Sequence, residues 1–173
     1  MSEVNDKELQ ACMDGLRRGD MASFEALYDE LKTPVYTVLL RITADRWLAE
    51  DLLQEYFVRL YQSPPQEVKK LRAYLLQIAR NLAIDALRKR EPELFTEQEM
   101  AAYPLEHHVL RLDLESAMRH LSLPERQVVA LHLNGGLKFR EIARMLEQPM
   151  GTVYSCYRRA IGKLRILLDG GSL

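Results

Sequence analysis

Residues 139–165 read FREIARMLEQPMGTVYSCYRRAIGKLR and predict two helices joined by a short turn. Apolar residues at helical spacing indicate the first helix: Phe139, Ile142, Ala143 and Leu146. Pro149 ends that helix, because proline cannot continue a helix but suits the first position of the next one. The second helix is therefore predicted to run from about Met150 to about Leu168.

The second helix has two different faces when it is wound at about 100° per residue. Its apolar face consists of Val153, Cys156, Tyr157, Ala160, Leu164 and Leu167. Its polar face consists of Tyr154, Ser155, Arg158 and Gly162, with Arg159 at the edge. Arginine, serine and tyrosine can bond base edges or phosphates, so this face suits the major groove of DNA in a helix-turn-helix. Periodicity alone fits a solvated amphipathic helix of a bundle equally well.

The net charge of −1 over 173 residues hides four alternating blocks. Residues 1–60 carry a net −5, residues 61–91 a net +4, residues 92–118 a net −5 and residues 119–173 a net +5. Two basic blocks predict two surfaces that face a polyanion, and they leave acidic surface for a different partner.

Length and composition indicate one or two small globular domains, with 47% hydrophobic and 28% charged residues. No apolar run reaches about 18 residues, and the N-terminus MSEVNDKELQ lacks the features of a signal peptide, so no membrane insertion is expected. Cys12 and Cys156 suggest neither a disulfide framework nor a zinc cluster. A reducing cytoplasm is the predicted compartment.

Residues 123–165, from LPERQ through NGGLK to the stretch quoted above, resemble region 4 of bacterial RNA polymerase sigma factors. The Leu-Pro-Glu-Arg-Gln start, the Glu-Ile-Ala of the first helix and the Gly-Thr-Val of the second are marks of the extracytoplasmic-function group. The resemblance implies a domain that binds the β flap of polymerase and reads the −35 promoter element. The residues expected to contact this element are Tyr154, Ser155, Arg158, Arg159 and Lys163. Tyr154 and Cys156 replace the usual basic residues beside the serine, so the promoter preference does not carry over.

The N-terminal half is predicted to be helical scaffold followed by a docking helix. Asp6 is expected to cap a helix over about 7–18, and Pro34 is expected to interrupt the next one. The helix from Trp47 to Tyr61 buries one face and presents Trp47 and Val58 among carboxylates on the other, which fits either a partner surface or an ordinary solvated face. Glu50-Asp51-Leu52-Leu53-Gln54-Glu55 resembles the polymerase-binding segment of sigma region 2. This resemblance implies that Glu50, Asp51, Gln54 and Glu55 dock on the β′ clamp helices.

A loop from Ser63 and a helix over about 71–90 follow, and the run AYLLQIARNLAIDALRKR looks like the sigma segments that read and open the −10 element. In that family the loop receives a base flipped out of the single strand. The expected −10 contacts are Lys69, Lys70, Arg72, Arg80, Asn81 and Arg88. Tyr74 can stack on a base or belong to the core, and its position on the apolar stripe leaves both roles open.

Residues 91–112 contain two prolines and an acidic excess, which indicates a linker. In sigma factors this linker threads toward the active-site and RNA-exit channels of polymerase, and its acidity could also mask a basic block when polymerase is absent. The adjacent His107 and His108 point to different faces of any helix, so they favour solvated side chains over a metal site.

The sequence contains no glycine-rich phosphate loop, no HExxH and no nucleophile beside a partnered base. It therefore predicts a protein that is not an enzyme and needs no cofactor or metal. The expected fold is all-α, with a region 2 bundle over 1–91, a flexible acidic linker over 92–112 and a region 4 helix-turn-helix over 113–173.

The predicted function is that of a transcription initiation factor that binds core RNA polymerase and promoter DNA. An anti-sigma factor is a further candidate partner, since many relatives are held inactive by one. Two alternatives stay open: a stand-alone helix-turn-helix regulator, which explains residues 123–165 only, and a helical adaptor that does not bind DNA.

Overall fold

The computed structural model describes residues 6–66, 68–90 and 113–169, and all regular secondary structure in these ranges is helical. The N-terminal bundle, residues 6–90, contains α1 (Asp6–Arg17), α2 (Met21–Thr43), α3 (Arg46–Gln62) and α4 (Leu71–Arg90). The C-terminal domain, residues 113–169, contains α5 (Leu114–Arg119), α6 (Leu123–Val129), α7 (Phe139–Met145) and α8 (Met150–Leu168). A π-helical turn, Ala130–Asn134, continues α6. The predicted all-α class is confirmed. The predicted linker, with His107 and His108, lies outside the described residues.

Most helix bounds agree with prediction, but the predicted effects of Pro34 and of Asp6 are wrong. α4 and α8 begin and end at the expected residues, and α3 is one residue longer at each end. Pro34, however, does not interrupt α2, which is continuous over 23 residues. Leu31, Val35, Val38, Leu39 and Ile42 form one buried stripe on both sides of the proline. At about 1.5–3 kcal/mol for each buried side chain, this packing outweighs the roughly 3 kcal/mol cost of an internal proline.

Aspartates lie at the starts of three helices of the N-terminal bundle, and they have two different roles. Asp20 caps α2 by accepting from Ala22 N, and Asp45 caps α3 by accepting from Leu48 N. Asp6 was expected to cap α1, but it is the first residue of that helix. Its Oδ1 accepts instead from the backbone N–H of Arg72, at 3.1 Å. Asp6 therefore satisfies a first-turn amide of α4 and joins the starts of the two helices.

The N-terminal bundle and the C-terminal domain pack against each other. One cluster of buried apolar side chains extends from α1–α4 into α6, the π-helical turn, α7 and α8. α2 contacts α6 and the π-helical turn directly. A second cluster, centred on Met118, Leu121, Val129 and Leu164, belongs to the C-terminal domain alone. The sequence predicted two helical units, and the structure adds that they share buried surface.

Gly135 allows the close approach between the turn after α6 and helix α4. A Cβ atom at this position would lie 2.6 Å from Leu131 O and 3.0 Å from Leu76 Cδ1. The first distance is shorter than side-chain carbons tolerate against a backbone oxygen, so glycine is required here. The N–H of Gly135 donates to Ala130 O at 2.9 Å and closes the π-helical turn. The end of this turn lies beside α4, where Leu76 Cδ1 approaches Gly135 and Arg72 Nε donates to Gly135 O.

Candidate nucleic-acid interface

Helix α8 has one face in the core and one in solvent, as its periodicity predicted. Val153, Cys156, Ala160, Leu164 and Leu167 are buried, and Tyr157 is half-buried. Tyr154, Ser155, Arg158 and Arg159 are all exposed. The Tyr154 ring makes an edge contact with Phe139 of α7, with 5.4 Å between ring centroids. The structure thus brings four of the five predicted −35 residues together on one exposed helix face.

Lys163, the fifth predicted residue, makes an intramolecular contact. Its Nζ lies 2.8 Å from Glu125 Oε1 and 2.9 Å from Glu125 Oε2. Glu125 is only 4% exposed, and it also accepts from Ser122 N at the start of α6. In this arrangement Lys163 neutralises a buried carboxylate, a role that a sequence pattern does not reveal.

Cys156 faces the core, which accounts for one of the departures from the family pattern. It is 6% exposed, and burial together with the negative charge of Glu125 raises the pKa of its thiol. Burial and a raised thiol pKa both favour a packing role for Cys156 over a reactive one. Of the two replaced positions, only Tyr154 lies on the exposed face and can alter contacts to DNA.

Three cations beside α8 were not singled out from the sequence. Lys138 precedes α7, while Arg140 and Arg144 lie on it, and all three are exposed. Arg140 and Arg144 are four residues apart, so they share one side of the helix. That spacing was visible in the sequence and could have identified them as candidate phosphate contacts for the first helix of the motif.

Helix α3 presents the predicted docking face. Asp51, Gln54 and Glu55 are exposed, and Glu50 is partly exposed. Glu50 pairs with Arg46 at 3.2 Å, and Glu55 pairs with Arg59. On the same helix Trp47 is 78% exposed and Val58 is 53% exposed. Trp47 and Val58 together form an exposed apolar patch among the carboxylates, so Trp47 joins the candidates for partner contact.

The predicted −10 residues fall into two groups. Lys69, Asn81 and Arg88 are exposed, and Arg88 Nη1 lies 3.7 Å from Asp85 Oδ1. The other three contact the C-terminal domain. The corresponding atom pairs are Lys70 Nζ with Glu141 Oε1 at 2.6 Å, Arg72 Nε with Gly135 O at 3.1 Å, and Arg80 Nε with Gln127 Oε1 at 2.7 Å.

The surface around the loop after α3 offers an aromatic ring and a cleft. Tyr74 is 39% exposed, so it is not a core residue and its ring can reach a ligand. The cleft, of about 270 Å³, is lined by Tyr56, Arg59, Leu60, Gln62, Ser63 and Ile78. Tyr56 is fully buried, which raises the pKa of its hydroxyl, and its Oη finds no hydrogen-bonding partner among the described residues. A buried donor at a cleft is a feature of ligand sites.

Comparison with known families identifies two domain families along the chain. The profile for Sigma-70 region 2 matches residues 27–93, and the profile for Sigma-70, region 4 matches residues 111–164. Together they cover the α3 face, α4 and the paired helices α7 and α8. None of the described helices is long and apolar enough to cross a membrane.

Full-length relatives give the same result. The ECF RNA polymerase sigma factor SigL of Mycobacterium tuberculosis is 30% identical over 175 residues, which covers 92% of this chain and 96% of SigL. SigW of Bacillus subtilis is 29% identical over 170 residues, 87% of this chain and 91% of SigW. Such coverage of both chains argues against a stand-alone helix-turn-helix protein, which would match only the C-terminal domain.

Two solved structures share the fold. The sigma factor RpoE of Bartonella quintana, in complex with the anti-sigma factor NepR, has a TM-score of 0.65 at 24% identity, covering 84% of this chain and 96% of RpoE. CnrH, in complex with the cytosolic domain of CnrY, has a TM-score of 0.68 at 19% identity, covering 95% and 99%. With both domain profiles in order and relatives matched along their length, the chain belongs to the extracytoplasmic-function group of RNA polymerase sigma factors, which direct RNA polymerase to promoters.

Proposed function

We propose that the chain docks on core polymerase through the exposed face of α3. Asp51, Gln54 and Glu55 supply the polar contacts, Glu50 contributes at the edge, and Trp47 supplies the apolar anchor. The support is the pairing of an exposed tryptophan with carboxylates on one helix, because interface centres favour Trp and charged rims give orientation. The β′ clamp helices are the partner proposed for this face.

Promoter duplex is read by α8. Arg158 and Arg159 can reach base edges or phosphates from the exposed face, with Ser155 and Tyr154 beside them. Lys138, Arg140 and Arg144 sit where the first helix of the motif crosses the backbone, so phosphate contacts are their proposed role. Lys163 stabilises the domain through Glu125. The β flap is the proposed polymerase contact of the C-terminal domain.

The −10 strand binds along α4 and at the adjoining loop. Lys69, Lys70, Arg72, Arg80 and Arg88 supply cations, and Asn81 supplies a base-edge contact. Tyr74 provides an exposed ring for stacking. The cleft beside Ser63 is the proposed position of a flipped base, where the buried Tyr56 hydroxyl can donate a hydrogen bond.

The remaining proposals are coarser. Residues 1–91 and 113–173 act as the promoter-melting and −35-reading domains, with residues 92–112 as the linker between them. The protein acts in the cytoplasm and has no catalytic role of its own. An anti-sigma factor is a candidate partner, since the structurally similar RpoE was solved with NepR, although that likeness concerns the fold.

The observation that carries the proposal is the presence, on one chain, of an exposed acidic and aromatic helix face and an exposed arginine-bearing recognition face. The test is to mix the purified chain with core polymerase and fragmented genomic DNA of the source organism, then sequence the transcript 5′ ends. Initiation should cluster downstream of a shared pair of elements. Core polymerase that initiates at the same sites without the chain, or nowhere with it, would refute the proposal.

A further inference from the structure

Helix α1 contacts both ends of the loop that joins α3 to α4. Asp6, the first residue of α1, accepts from the backbone N–H of Arg72 at 3.1 Å, just after the loop. Arg17, the last residue of α1, donates to the carbonyl oxygen of Pro65 near the start of the loop, from Nε at 2.8 Å and also from Nη2. Because α1 has 12 residues, its two ends are about 16 Å apart. The loop is therefore anchored at both ends to one helix.

Arg17 is itself held in place by α1. Its Nη1 donates to Asp14 Oδ1 at 2.5 Å, and the same oxygen accepts from Gln10 Nε2 at 3.2 Å. The Arg17 side chain is only 20% exposed. Its three nitrogens all donate, and the guanidinium is planar and rigid, so these contacts fix the orientation of the whole group.

The contact with Pro65 restrains a backbone angle that proline leaves free. The rings of Pro64 and Pro65 set the φ angle at both residues, but they do not set the ψ angle that directs the Pro65 carbonyl. Two nitrogens of Arg17 hold this carbonyl oxygen. The contact therefore fixes the direction in which the chain continues toward Gln66.

This restrained segment forms part of the cleft after α3. The cleft is lined by Tyr56, Arg59, Leu60, Gln62, Ser63 and Ile78. Of these described residues, Ser63 is the one outside a helix, and it lies two positions before Pro65. The helical walls of the cleft are fixed by the packing of α3 and α4. The position of the remaining wall depends on the conformation of the loop, and Arg17 holds that loop.

We propose that Arg17 is a positioning residue for capture of the flipped −10 base: oriented by Asp14, it holds the Ser63 wall of the cleft in the conformation that accepts the base. The inference rests on the proposed position of that base beside Ser63. Arg17 acts through the Pro65 carbonyl and does not touch DNA. Its contribution is pre-organisation, because a loop that populates the accepting conformation for only a fraction of the time binds more weakly by that fraction.

The test measures base capture by holoenzyme assembled from core polymerase and the full chain. The probes are labelled single-stranded oligonucleotides with the −10 sequence of a promoter mapped from transcript 5′ ends, in which an abasic site replaces each base in turn. At each position, the affinity for the intact oligonucleotide divided by that for the abasic one gives a capture ratio, at one fixed salt concentration. Ser63→Phe places a ring in the cleft, so the position whose ratio it abolishes is the base that the cleft captures.

Arg17→Ala should lower the capture ratio at this position several-fold and leave the affinity for the abasic oligonucleotide at the wild-type value. Arg17→Lys keeps the charge but has one nitrogen in place of the planar fork, so an intermediate ratio is expected. Asp14→Asn should lower the ratio less than Arg17→Ala, because it weakens only the contact that orients Arg17. Arg18→Ala removes the next cation along the chain, which is exposed, and should keep the wild-type ratio.

A wild-type capture ratio in Arg17→Ala would overturn the inference. Equal losses of affinity for intact and abasic oligonucleotides would also overturn it, because a direct phosphate contact weakens both alike. If Ser63→Phe changes the ratio at no position, the cleft captures no base, and the proposed function of the cleft fails together with this inference.

Folding of the variants is checked by circular dichroism and by their affinity for core polymerase. Leu9, Met13 and Leu16 are buried and anchor α1 in the bundle, so Arg17→Ala should keep both at wild-type values. A purely structural role of Arg17 would change these two measurements without changing the capture ratio. If Arg17→Ala does not fold, Arg17→Lys and Asp14→Asn carry the test.

Discussion

Lys163 of α8 bridges both carboxylate oxygens of Glu125, at 2.8 and 2.9 Å, and so joins the recognition helix to the start of α6. Glu125 is 4% exposed and also accepts from Ser122 N. The pair thus orients the two helices relative to each other, and it engages within the protein a lysine that was predicted from the sequence to contact DNA.

Lys163→Met should therefore destabilise the C-terminal domain by about 1–3 kcal/mol, because the variant leaves a buried carboxylate without its counterion. Chemical denaturation measures the loss. Adding Glu125→Gln removes the buried charge and should recover part of the stability. If Lys163→Met unfolds at the wild-type denaturant concentration but loses −35 affinity, the lysine contacts DNA after all.

Charge reversal on α3 tests the docking face. Asp51→Arg with Glu55→Arg should weaken binding to core polymerase by about 2–5 kcal/mol, since charges desolvated at an interface couple strongly. Helicity should be unchanged, because both side chains are exposed in the free chain. Biolayer interferometry with immobilised core enzyme gives the affinity. Glu8→Arg with Asp169→Arg reverses two exposed carboxylates outside α3, and an equal effect from this control would dismiss a specific docking face.

Trp47 should contribute to the same interface without contributing to the fold. Trp47→Ala should lower core-polymerase affinity by about 2 kcal/mol or more, as expected of a tryptophan at an interface centre. Its 78% exposure predicts a change in unfolding free energy within about 0.5 kcal/mol. Ile166→Ala, at an exposed position of α8, is the matched control. Unchanged polymerase affinity in Trp47→Ala would remove this residue from the docking face.

The exposed arginines of α8 should set −35 selectivity. Arg158→Ala or Arg159→Ala should cost about 1–3 kcal/mol in promoter binding, and loss of a base contact should relax preference at one position. Selection from a randomised −35 library by reconstituted holoenzyme measures both effects. Arg165→Ala, another exposed cation of the same helix, controls for lost charge. A library profile unchanged in both variants would place the recognition surface elsewhere.

Asp45 should make stability depend on pH in acid. The hydrogen bond from Leu48 N–H and the pairing with Arg90 lower the pKa of Asp45 below its usual 3.8, against the effect of burial. A lowered folded-state pKa stabilises the fold above the unfolded pKa, and this stability is lost as the pH falls through the folded value. Asp45→Asn should therefore be less stable than wild type at pH 7, with a difference that shrinks below about pH 4. Denaturation at a series of pH values tests this, and a pH-independent difference would contradict it.

Local sequence patterns were sufficient to predict much of the fold and part of the candidate site. The helix-turn-helix follows from Phe139 to Leu168 because the apolar spacing, Pro149 and the change of face along α8 are all local properties. The same periodicity separated Tyr154, Ser155, Arg158 and Arg159 from the core face. Pattern failed at Pro34, because packing on both sides of the proline is a non-local effect. It failed at Asp6 for the same reason, since the amide that Asp6 accepts from belongs to a helix 66 residues away.

By itself, the sequence determined the helices, the family and the exposed faces of α3 and α8, because periodicity, capping residues and the order of motifs are properties of the linear sequence. Tertiary structure decided which of the predicted contacts are engaged within the protein. Lys163 is held by Glu125, and Lys70, Arg72 and Arg80 are held by the C-terminal domain. A lysine or arginine in a sequence carries the same charge whether its partner is a phosphate or a carboxylate. Only the packing of distant helices selects the partner, since it places Glu125, Glu141, Gln127 and the Gly135 carbonyl within hydrogen-bonding distance.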